Sequence, residues 1–417
     1  MKIYKIGELC SFSKGASIPR DRMLQSGTIN YLHYGDLYKG HNLYINIEDQ
    51  ETPIPFISSF EKAKDSQYAK DGDIVYVLTS ETVEDLGKAL LLQNPNHQIV
   101  VAGTETTIMH VDKKDIIEPA YLNYLLQTKC FKKTLQQYTT GMKVFRVHPR
   151  DISRIEIKVP NIEKQRAIIK ILDQIHFKIR INNRINDYLA EIAIALFNKQ
   201  CPQTKQLNAV LSNIAEITMG QSPVGSSYNE EGNGVVFYQG RAEFGSFFPR
   251  RRLFTTEPKR MAREGDTLMS VRAPVGDLNV ANEDCCIGRG LAAIHSEGSQ
   301  SFVHYLMRAQ AKQLNSFNNN GTVFGSINGK ALKELPVFLP SNDAIASLDS
   351  LLEPIDMLIR RNDDEIQALE QLRDALLPKL MSGEINVSEV EVPTQLNNHF
   401  ILQLYKLEFS YIIQYPF

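Results

Sequence analysis

The side chains best suited to chemistry in this chain are arginines and amides that lie beside glycines and aromatic residues. Residues 240–254, GRAEFGSFFPRRRLF, hold four arginines among four phenylalanines. Arginine can bind phosphate or a guanine edge through two parallel hydrogen bonds, and aromatic rings can stack on bases. The same run could instead be a solvated basic loop. Segments 270–277 and 288–294 add Arg272 and Arg289 beside glycines.

Motifs of the common catalytic sites are missing from the sequence. GSINGK at 325–330 is one residue too short for a phosphate-binding loop, and no GxGxxG or GxSxG motif occurs. Asp151, Glu156 and Lys158 weakly resemble an acidic nuclease site, but charge alternation along an edge strand explains them, and the second half of the chain has no counterpart. Five cysteines without a CxxC pair and nine scattered histidines argue against zinc. We therefore expect a non-catalytic chain without a metal.

Composition sets the broad class of protein. With 417 residues, 43% hydrophobic and 23% charged, the chain should form two or three globular domains. The formal net charge of −2 gives no overall sign of nucleic-acid binding, so the local distribution of charge must carry that argument. We find no signal-peptide pattern and no run of roughly 18 to 20 uncharged apolar residues, so we expect a cytoplasmic protein.

The sequence contains one long internal repeat. Residues 6–19 align without a gap with residues 211–224. A repeat of this length is too long for a solenoid unit, so it indicates a duplicated domain with pseudo-two-fold symmetry. The matches place Gly15 on Gly220 and Ser17 on Ser222, and further along they join 69–77 to 262–270, 121–126 to 302–307 and 141–145 to 321–324.

Each copy ends in a long amphipathic helix. A seam of mostly apolar residues recurs at intervals of four and three from Ile168 to Leu196, where it includes Asn182 and Asn186, and again from Leu348 to Leu376, where it includes Asn362. This heptad spacing is typical of a coiled coil, and helices of roughly 35 residues would be about 50 Å long. We expect the helices to pair with each other in antiparallel orientation, with the globular parts at opposite ends. Pro354 is expected in an early turn, at a kink or helix start.

Two asparagines are candidates for setting the register of this pairing. Asn182 and Asn362 lie near the middles of the two predicted helices, so aligned centres would bring them close together. A buried asparagine pair fixes register at some cost in stability. The alternative is that both side chains face solvent at the edge of a helix bundle.

The globular parts are predicted to be α/β (α+β) domains. Short β-branched and aromatic runs such as 73–80 and 234–240 are separated by Gly, Asn and Pro turns, and each copy has a helical stretch. The fold class is therefore two similar globular domains joined by two long helices that pair as an antiparallel coiled coil. The predicted segments are 1–160 and 205–340 for the globular domains, 161–200 and 341–385 for the long helices, and 386–417 for a C-terminal tail of unknown role.

The chain resembles the specificity subunits of type I restriction-modification systems, in its duplicated layout and in motifs of the second copy. The clearest are GQSP at 220–223, GDTLMSVRAPVGD at 265–277, IGRGLAAI at 287–294, GTVFGSI at 321–327 and LLPKLMSGEI at 376–385. In the first copy the motifs are weaker, and SFSKGASIP at 11–19 is the best match.

The resemblance implies two target-recognition domains, each of which reads one half of an asymmetric, interrupted DNA site. The paired helices would set the spacing and dock two methyltransferase subunits. Those partners would supply S-adenosylmethionine binding, base flipping and adenine N6 methylation. Restriction and translocase subunits, with ATP and Mg, would cut unmethylated DNA. No cofactor is expected in this chain itself.

The resemblance also implies which loops contact DNA. By position against the recognition loops of the family, the expected DNA-binding residues are Lys14, Ser17, Tyr34, Lys143 and Arg146 in the first domain, and Gln221, Ser222, Gln239, Arg241, Arg272, Arg289 and Thr322 in the second.

Two other functions remain open at this point. The chain could be a self-sufficient, two-headed, sequence-specific DNA-binding regulator, or a coiled-coil scaffold whose globular ends bind proteins. Tight specific DNA binding without partners would favour the first, and DNA recognition that survives loss of Arg241, Arg272 and Arg289 would favour the second.

Overall fold

The computed structural model describes residues 1–387, apart from residues 36, 39, 50–51, 59–60, 62, 84, 203, 273, 319–324 and 386. The chain divides into two compact units, one formed by Met1–His176 with Gln371–Phe417 and the other by Phe177–Glu370. The predicted C-terminal tail lies outside the described residues, apart from residue 387.

The first unit is built around a five-stranded sheet. Its strands lie in the order Cys10–Lys14, Thr107–Val111, Ile74–Val77, Lys88–Gln93 and Tyr44–Asn46, and only the last pair is parallel. A three-stranded sheet has the order Phe56–Ile57, Ile29–Leu32 and Ile99–Ala102. Lys2–Lys5 pairs with Glu156–Val159, and Thr79–Ser80 pairs with Phe145–Arg146. The short helices are Ile6–Leu9, Pro119–Gln127, Lys129–Gln136 and Pro149–Ile152, with 3-10 turns at Arg20–Arg22 and Asp65–Gln67.

The second unit has a four-stranded antiparallel sheet in the order Glu216–Met219, Leu291–His295, Thr267–Val271 and Val275–Val280. A five-stranded sheet follows the order Tyr228–Asn229, Leu253–Thr255, Val235–Tyr238, Cys285–Ile287 and Met261–Ala262. Ala209–Val210 pairs with Pro336–Val337. The short helices are Gln300–Ala309, Ala311–Ser316 and Gly329–Lys333, with 3-10 turns at Leu211–Asn213, Gly225–Ser227 and Arg241–Glu243.

The two units repeat one strand topology. The first four strands of the five-stranded sheet in unit one correspond, in the same spatial order, to the four strands of the four-stranded sheet in unit two. Each unit also has a parallel pair at the same place, Ile29–Leu32 with Ile99–Ala102 and Val235–Tyr238 with Cys285–Ile287. The central strand Ile74–Val77 consists only of apolar and aromatic residues and is buried along its whole length. The predicted fold class is confirmed.

The long helices run Ile162–Gln200 and Asn342–Ser382. Both begin at a capping residue: the Lys164 amide donates to Asn161 Oδ1 at 3.1 Å, and the Ala344 amide donates to Ser341 Oγ at 3.4 Å. The second helix begins at Asn342, next to the predicted start at 341, so of the two alternatives given for Pro354 the helix start is wrong, and the proline lies inside the helix instead of in an early turn. Proline removes one backbone hydrogen bond from a helix, and the buried core contacts of Leu348 and Leu352 stabilise the turns that precede it.

Within the second unit the helices pair in antiparallel orientation. Asn362 Nδ2 donates to Asn186 Oδ1 at 2.8 Å, and Asn182 Nδ2 donates to Glu365 Oε2 at 2.8 Å. The expected pairing of Asn182 with Asn362 is therefore wrong by four residues, about one helical turn. The midpoints of the helices in the sequence do not identify which side chains meet. Ala190 and Ile359, one from each helix, share a buried cluster with Phe248 of the globular part.

Each unit holds its long helix with a tyrosine and an aspartate. Tyr124 donates from its hydroxyl to Asp173 Oδ1 at 2.7 Å in the first unit, and Tyr305 donates to Asp356 Oδ1 at 2.7 Å in the second. The two tyrosines are equivalent in the repeat, and the aspartates follow at slightly different distances along the helices. The same polar contact thus fastens each helix to the short helix of its own unit.

Candidate nucleic-acid interface

Both units build the same backbone frame where the first strand of the main sheet ends. Gly15 follows Cys10–Lys14, and Gly220 follows Glu216–Met219. Four backbone hydrogen bonds recur at matched positions. In the first unit they run from Gly15 N to Thr106 O (3.0 Å), Ala16 N to Ala102 O (2.7 Å), Gly103 N to Leu32 O (3.0 Å) and Val147 N to Leu78 O (3.0 Å). In the second unit, in the same order, they run from Gly220 N to Leu291 O (2.9 Å), Gln221 N to Ile287 O (2.9 Å), Gly288 N to Tyr238 O (2.8 Å) and Ile327 N to Val271 O (3.1 Å).

Close backbone approach explains why glycine occupies this frame in both units. A Cβ added to Gly15 would lie 2.0 Å from the Gly103 carbonyl oxygen, and one added to Gly220 would lie 2.1 Å from the Gly288 carbonyl oxygen. Even alanine would therefore push the two segments apart. The frame fixes the position of the loops while leaving the neighbouring side chains free to differ.

In the second unit this frame brings several predicted residues together. The Arg289 amide donates to Ser222 Oγ at 3.3 Å, and Gln239 directly follows the Tyr238 carbonyl that bonds Gly288. The side chains of Gln221, Gln239 and Arg289 are exposed. Arg272 directly follows Val271, whose amide donates to the Gly290 carbonyl at 2.9 Å. Five of the seven residues predicted here therefore belong to one frame.

A buried tyrosine contacts the frame in each unit. Tyr31 is fully buried, donates to the Ala16 carbonyl at 2.9 Å and accepts from the Thr104 amide at 3.1 Å. In the second unit burial raises the pKa of Tyr238, and Cys285 adds to that rise, so the phenol stays protonated. Its hydroxyl bonds Asn282 Oδ1 at 3.2 Å. Neither tyrosine was predicted from the sequence, because only tertiary contacts distinguish it from an ordinary core residue.

In the first unit a cleft of 760 Å³ contains two of the predicted residues, Lys14 and Arg146. Hydroxyl and basic side chains line this cleft together with His148 and one acidic residue, Glu105. The hydroxyl residues are Ser13, Thr79, Thr106, Thr107, Thr140 and Ser153, and the basic residues are Lys14, Arg146 and Arg150. Arg150 and the threonines were missed by sequence reasoning, since nothing in their local pattern separates them from other surface residues.

The remaining predicted residues of the first unit lie outside that lining. Ser17 is exposed, and Tyr34 is 40% exposed with its ring centroid 4.7 Å from that of His33. Lys143 lies at the tip of a hairpin closed by two backbone hydrogen bonds between Thr140 and Arg146, each 2.9 Å. Thr322 lies outside the described residues.

The arginine-rich run of the second unit is engaged with carboxylates. Arg241 pairs with Asp277 at 3.0 Å, Arg250 with Asp363 at 3.6 Å, Arg251 with Glu283 at 2.5 Å and Arg252 with Glu243 at 2.7 Å. Arg241 and Asp277 are both about half exposed, so their pair is weak and Arg241 can exchange its partner for a phosphate at little cost. The carboxylates of Asp363 and Glu243 are buried, so their pairs with Arg250 and Arg252 are costlier to break. Arg272 and Arg289, by contrast, form no ion pair with another described residue.

The weak nuclease-like residues do not form an acidic site. Asp151 pairs with Arg154 at 3.7 Å, while Glu156 and Lys158 are exposed on a strand paired with Lys2–Lys5. Among the residues that the structure describes, no cluster of His, Cys, Asp or Glu could hold a metal ion. No helix in the described part of the chain is long and apolar enough to cross a membrane.

Comparison with known proteins agrees with this arrangement. A family model for the type I restriction modification DNA specificity domain matches residues 1–191. A Methanocaldococcus jannaschii protein named as the type I restriction enzyme MjaX specificity subunit is 31% identical over 370 residues, which cover 82% of this chain and 86% of that protein. The MjaIX specificity subunit of the same organism is 21% identical over 434 residues, 93% of this chain and 94% of that protein.

A solved structure shares the fold. The crystal structure of a type I restriction-modification system S subunit from M. genitalium has a TM-score of 0.54 and 15% identity, with 91% of this chain and 95% of that chain covered. Since the relative with 31% identity extends over most of both chains, the duplicated chain belongs to the family of type I restriction-modification specificity subunits.

Proposed function

We propose that each globular domain of this chain, 1–160 and 205–340, reads one half of a bipartite, asymmetric DNA site. One observation carries the proposal: both units hold the same backbone frame, but the side chains at its matched positions differ. The first unit has buried Ala16 and His33 and half-buried Thr104, and the second has exposed Gln221, Gln239 and Arg289. A backbone frame that both units share, with different side chains at its matched positions, suits two domains that read different DNA sequences.

In this proposal the paired helices set the distance between the half-sites and dock two adenine-N6 methyltransferase subunits. Register is held in part by the polar contacts of Asn182, Asn186 and Asn362. A rigid helical connection suits this role, because DNA repeats about every 34 Å and two fixed readers contact only certain turns.

We assign no chemistry to the chain itself. The assembled complex would act as an adenine-N6 DNA methyltransferase and, with restriction and translocase subunits, as a type I site-specific deoxyribonuclease. S-adenosylmethionine, ATP and Mg would bind in those partners. The modest charge of this chain is consistent with partners that supply part of the phosphate neutralisation.

The experiment that tests the proposal is a domain exchange in the assembled methyltransferase. Replacing residues 211–340 by those of a relative with another specificity should change one half of the methylated sequence, and leave the other half and the spacing intact. Mapping N6-methyladenine across genomic DNA reports both halves at once. A change in both halves, or in neither, would contradict the proposal.

Binding by the purified chain separates the proposal from its alternative. We expect weak DNA binding by the chain alone, and tight, sequence-specific, salt-dependent binding once its methyltransferase partner is added. Tight specific binding at physiological salt without partners would favour the self-sufficient DNA-binding regulator instead.

A further inference from the structure

We propose that Arg146 and Arg272, which lie on opposite strands of matching strand pairs, bind the DNA sugar-phosphate backbone, whereas Gln239 and Arg289 read bases in the second half-site. The inference rests on the proposed function and goes beyond it by sorting the residues of the interface into positioning and reading contacts. It starts from a pair of residues that both units place at the same point of the frame.

In each unit an arginine lies directly across an antiparallel strand pair from a hydroxyl residue. Arg146 is paired with Thr79 in the first unit, and Arg272 is paired with Ser326 in the second. The matched hydrogen bonds from Val147 and Ile327 put these two pairs at equivalent positions.

The arginine has changed strands between the two copies. By strand pairing and hydrogen bonding, Thr79 is equivalent to Arg272, and Arg146 is equivalent to Ser326. Directly opposed residues of an antiparallel pair have Cβ atoms about 4.5–5.5 Å apart on one face of the sheet. A guanidinium on a long flexible side chain can therefore reach the same point from either strand.

Both arginines are available for a ligand. Arg146 and Arg272 are exposed, and neither guanidinium has an ion-pair or hydrogen-bond partner among the described residues. Arg241, Arg251 and Arg252 differ in this respect, because each already faces a carboxylate.

The shared position indicates what the arginines bind. Two readers of unlike half-sites have only the sugar-phosphate backbone in common, and backbone contacts fix orientation without carrying sequence information. Both units therefore place an arginine at the same point, although on different strands, and such a shared cation is suited to phosphate. Arginine binds phosphate through two parallel hydrogen bonds.

Positions that differ between the copies are suited to reading bases. His33 corresponds to Gln239, and Thr104 corresponds to Arg289. Glutamine can bind adenine, and arginine guanine, through two hydrogen bonds in the major groove. Gln239 and Arg289 are exposed and lie on the two sides of the contact between Gly288 and Tyr238.

The first experiment measures affinity of the assembled methyltransferase complex for cognate and non-cognate duplexes across a salt series. R146A and R272A should each weaken binding to both duplexes by a similar factor. Each should also lower the salt slope, the magnitude of the slope of log K against log salt concentration, by about one. R289A and Q239A should instead reduce the ratio of cognate to non-cognate affinity, with altered base preference confined to the second half-site.

Exchange variants provide the matched control. T79R/R146T moves the first arginine to the other strand, as in the second unit, and R272S/S326R makes the reverse exchange. Each double variant should regain most of the affinity and salt slope that the single arginine variant loses. Thermal unfolding of every variant separates loss of contact from loss of fold.

Two results would overturn the inference. One is a changed base preference in R146A or R272A, which would make these arginines readers. The other is an exchange variant that keeps its thermal stability but recovers no affinity. Failure of the proposed function is a different result, since it would appear as wild-type complex without specific binding or as a domain exchange without effect.

Discussion

Asn186 and Asn362 form a side-chain hydrogen bond between the two long helices, from Asn362 Nδ2 to Asn186 Oδ1 at 2.8 Å. Asn186 also donates to the Ile359 carbonyl at 3.2 Å and is 1% exposed. A buried amide left without its partner costs about 1–3 kcal/mol, whereas replacing both partners by apolar groups can be nearly neutral.

We expect N186L to lower the free energy of unfolding by about 1 kcal/mol, because the partner left without its hydrogen bond, Asn362, is half-buried, and we expect N186L/N362L to recover most of that loss. Denaturant unfolding of the two variants measures the difference. N183L on the solvent side of the same helix is the control and should change stability by no more than about 0.5 kcal/mol. Equal stability of N186L and wild type would contradict a register role for this contact.

Y305F is expected to destabilise the second unit, because Asp356 loses a hydrogen-bond donor. Burial raises the pKa of Asp356, and the Tyr305 hydroxyl opposes that rise. The loss should be about 1–3 kcal/mol at neutral pH. It should shrink as the pH falls through the raised pKa of Asp356, since the protonated carboxyl no longer bears a buried charge.

Unfolding curves of Y305F at several pH values test this expectation. Y188F is the control, since Tyr188 is exposed and its hydroxyl bonds only Arg184 on the surface of the helix. A loss for Y305F that grows toward acid pH would show that the carboxylate does not need this donor.

His304 should make the second unit acid-sensitive. Burial, helped by Arg308, lowers the pKa of His304 to about 3 in the folded protein. The unfolded chain binds a proton near pH 6.5, so stability should fall as the pH drops from about 6.5 toward 3, by at most about 1.4 kcal/mol per pH unit.

The first unit offers the substitution that tests this dependence. Asn123 occupies the position equivalent to His304 and is fully buried. H304N should therefore flatten the acid limb of the stability curve relative to wild type. Parallel curves for the two proteins would mean that another group controls the acid response.

G220A should damage recognition of one half-site alone. The added Cβ would lie 2.1 Å from the Gly288 carbonyl oxygen and force apart the segments that carry Gln221 and Arg289. We expect at least about a tenfold loss of cognate affinity, or roughly 1.4 kcal/mol. Binding assays with duplexes altered in one half-site locate the effect. G225A is the control, since its Cβ would meet no atom within 4 Å.

Lengthening both helices by one turn should change the spacing of the methylated sequence and neither half-site. One turn adds about 5.4 Å, or roughly one and a half base pairs at 3.4 Å each. Mapping of N6-methyladenine reads out the spacing. An altered half-site sequence in this variant would mean that the helices take part in base reading.

The sequence alone determined the duplication, the α/β class, and the two long helices that pair with each other. These features are encoded by patterns along the chain. Heptad spacing depends only on neighbouring turns of a helix, and short apolar runs between glycines specify strands. The resemblance to a known family added candidate residues in the loops, but not the partners of their side chains.

Only the tertiary structure decided which of these side chains meet. Asn362 pairs with Asn186 instead of Asn182, a difference of about one turn that the heptad pattern does not specify, because each pair of turns repeats the same apolar spacing. The arginines of the RRR run are engaged by Asp363, Glu283 and Glu243, of which the first two are distant in sequence. The exchange of Arg146 and Arg272 between strands is visible only once the strands are paired, because local patterns do not specify contacts between distant segments.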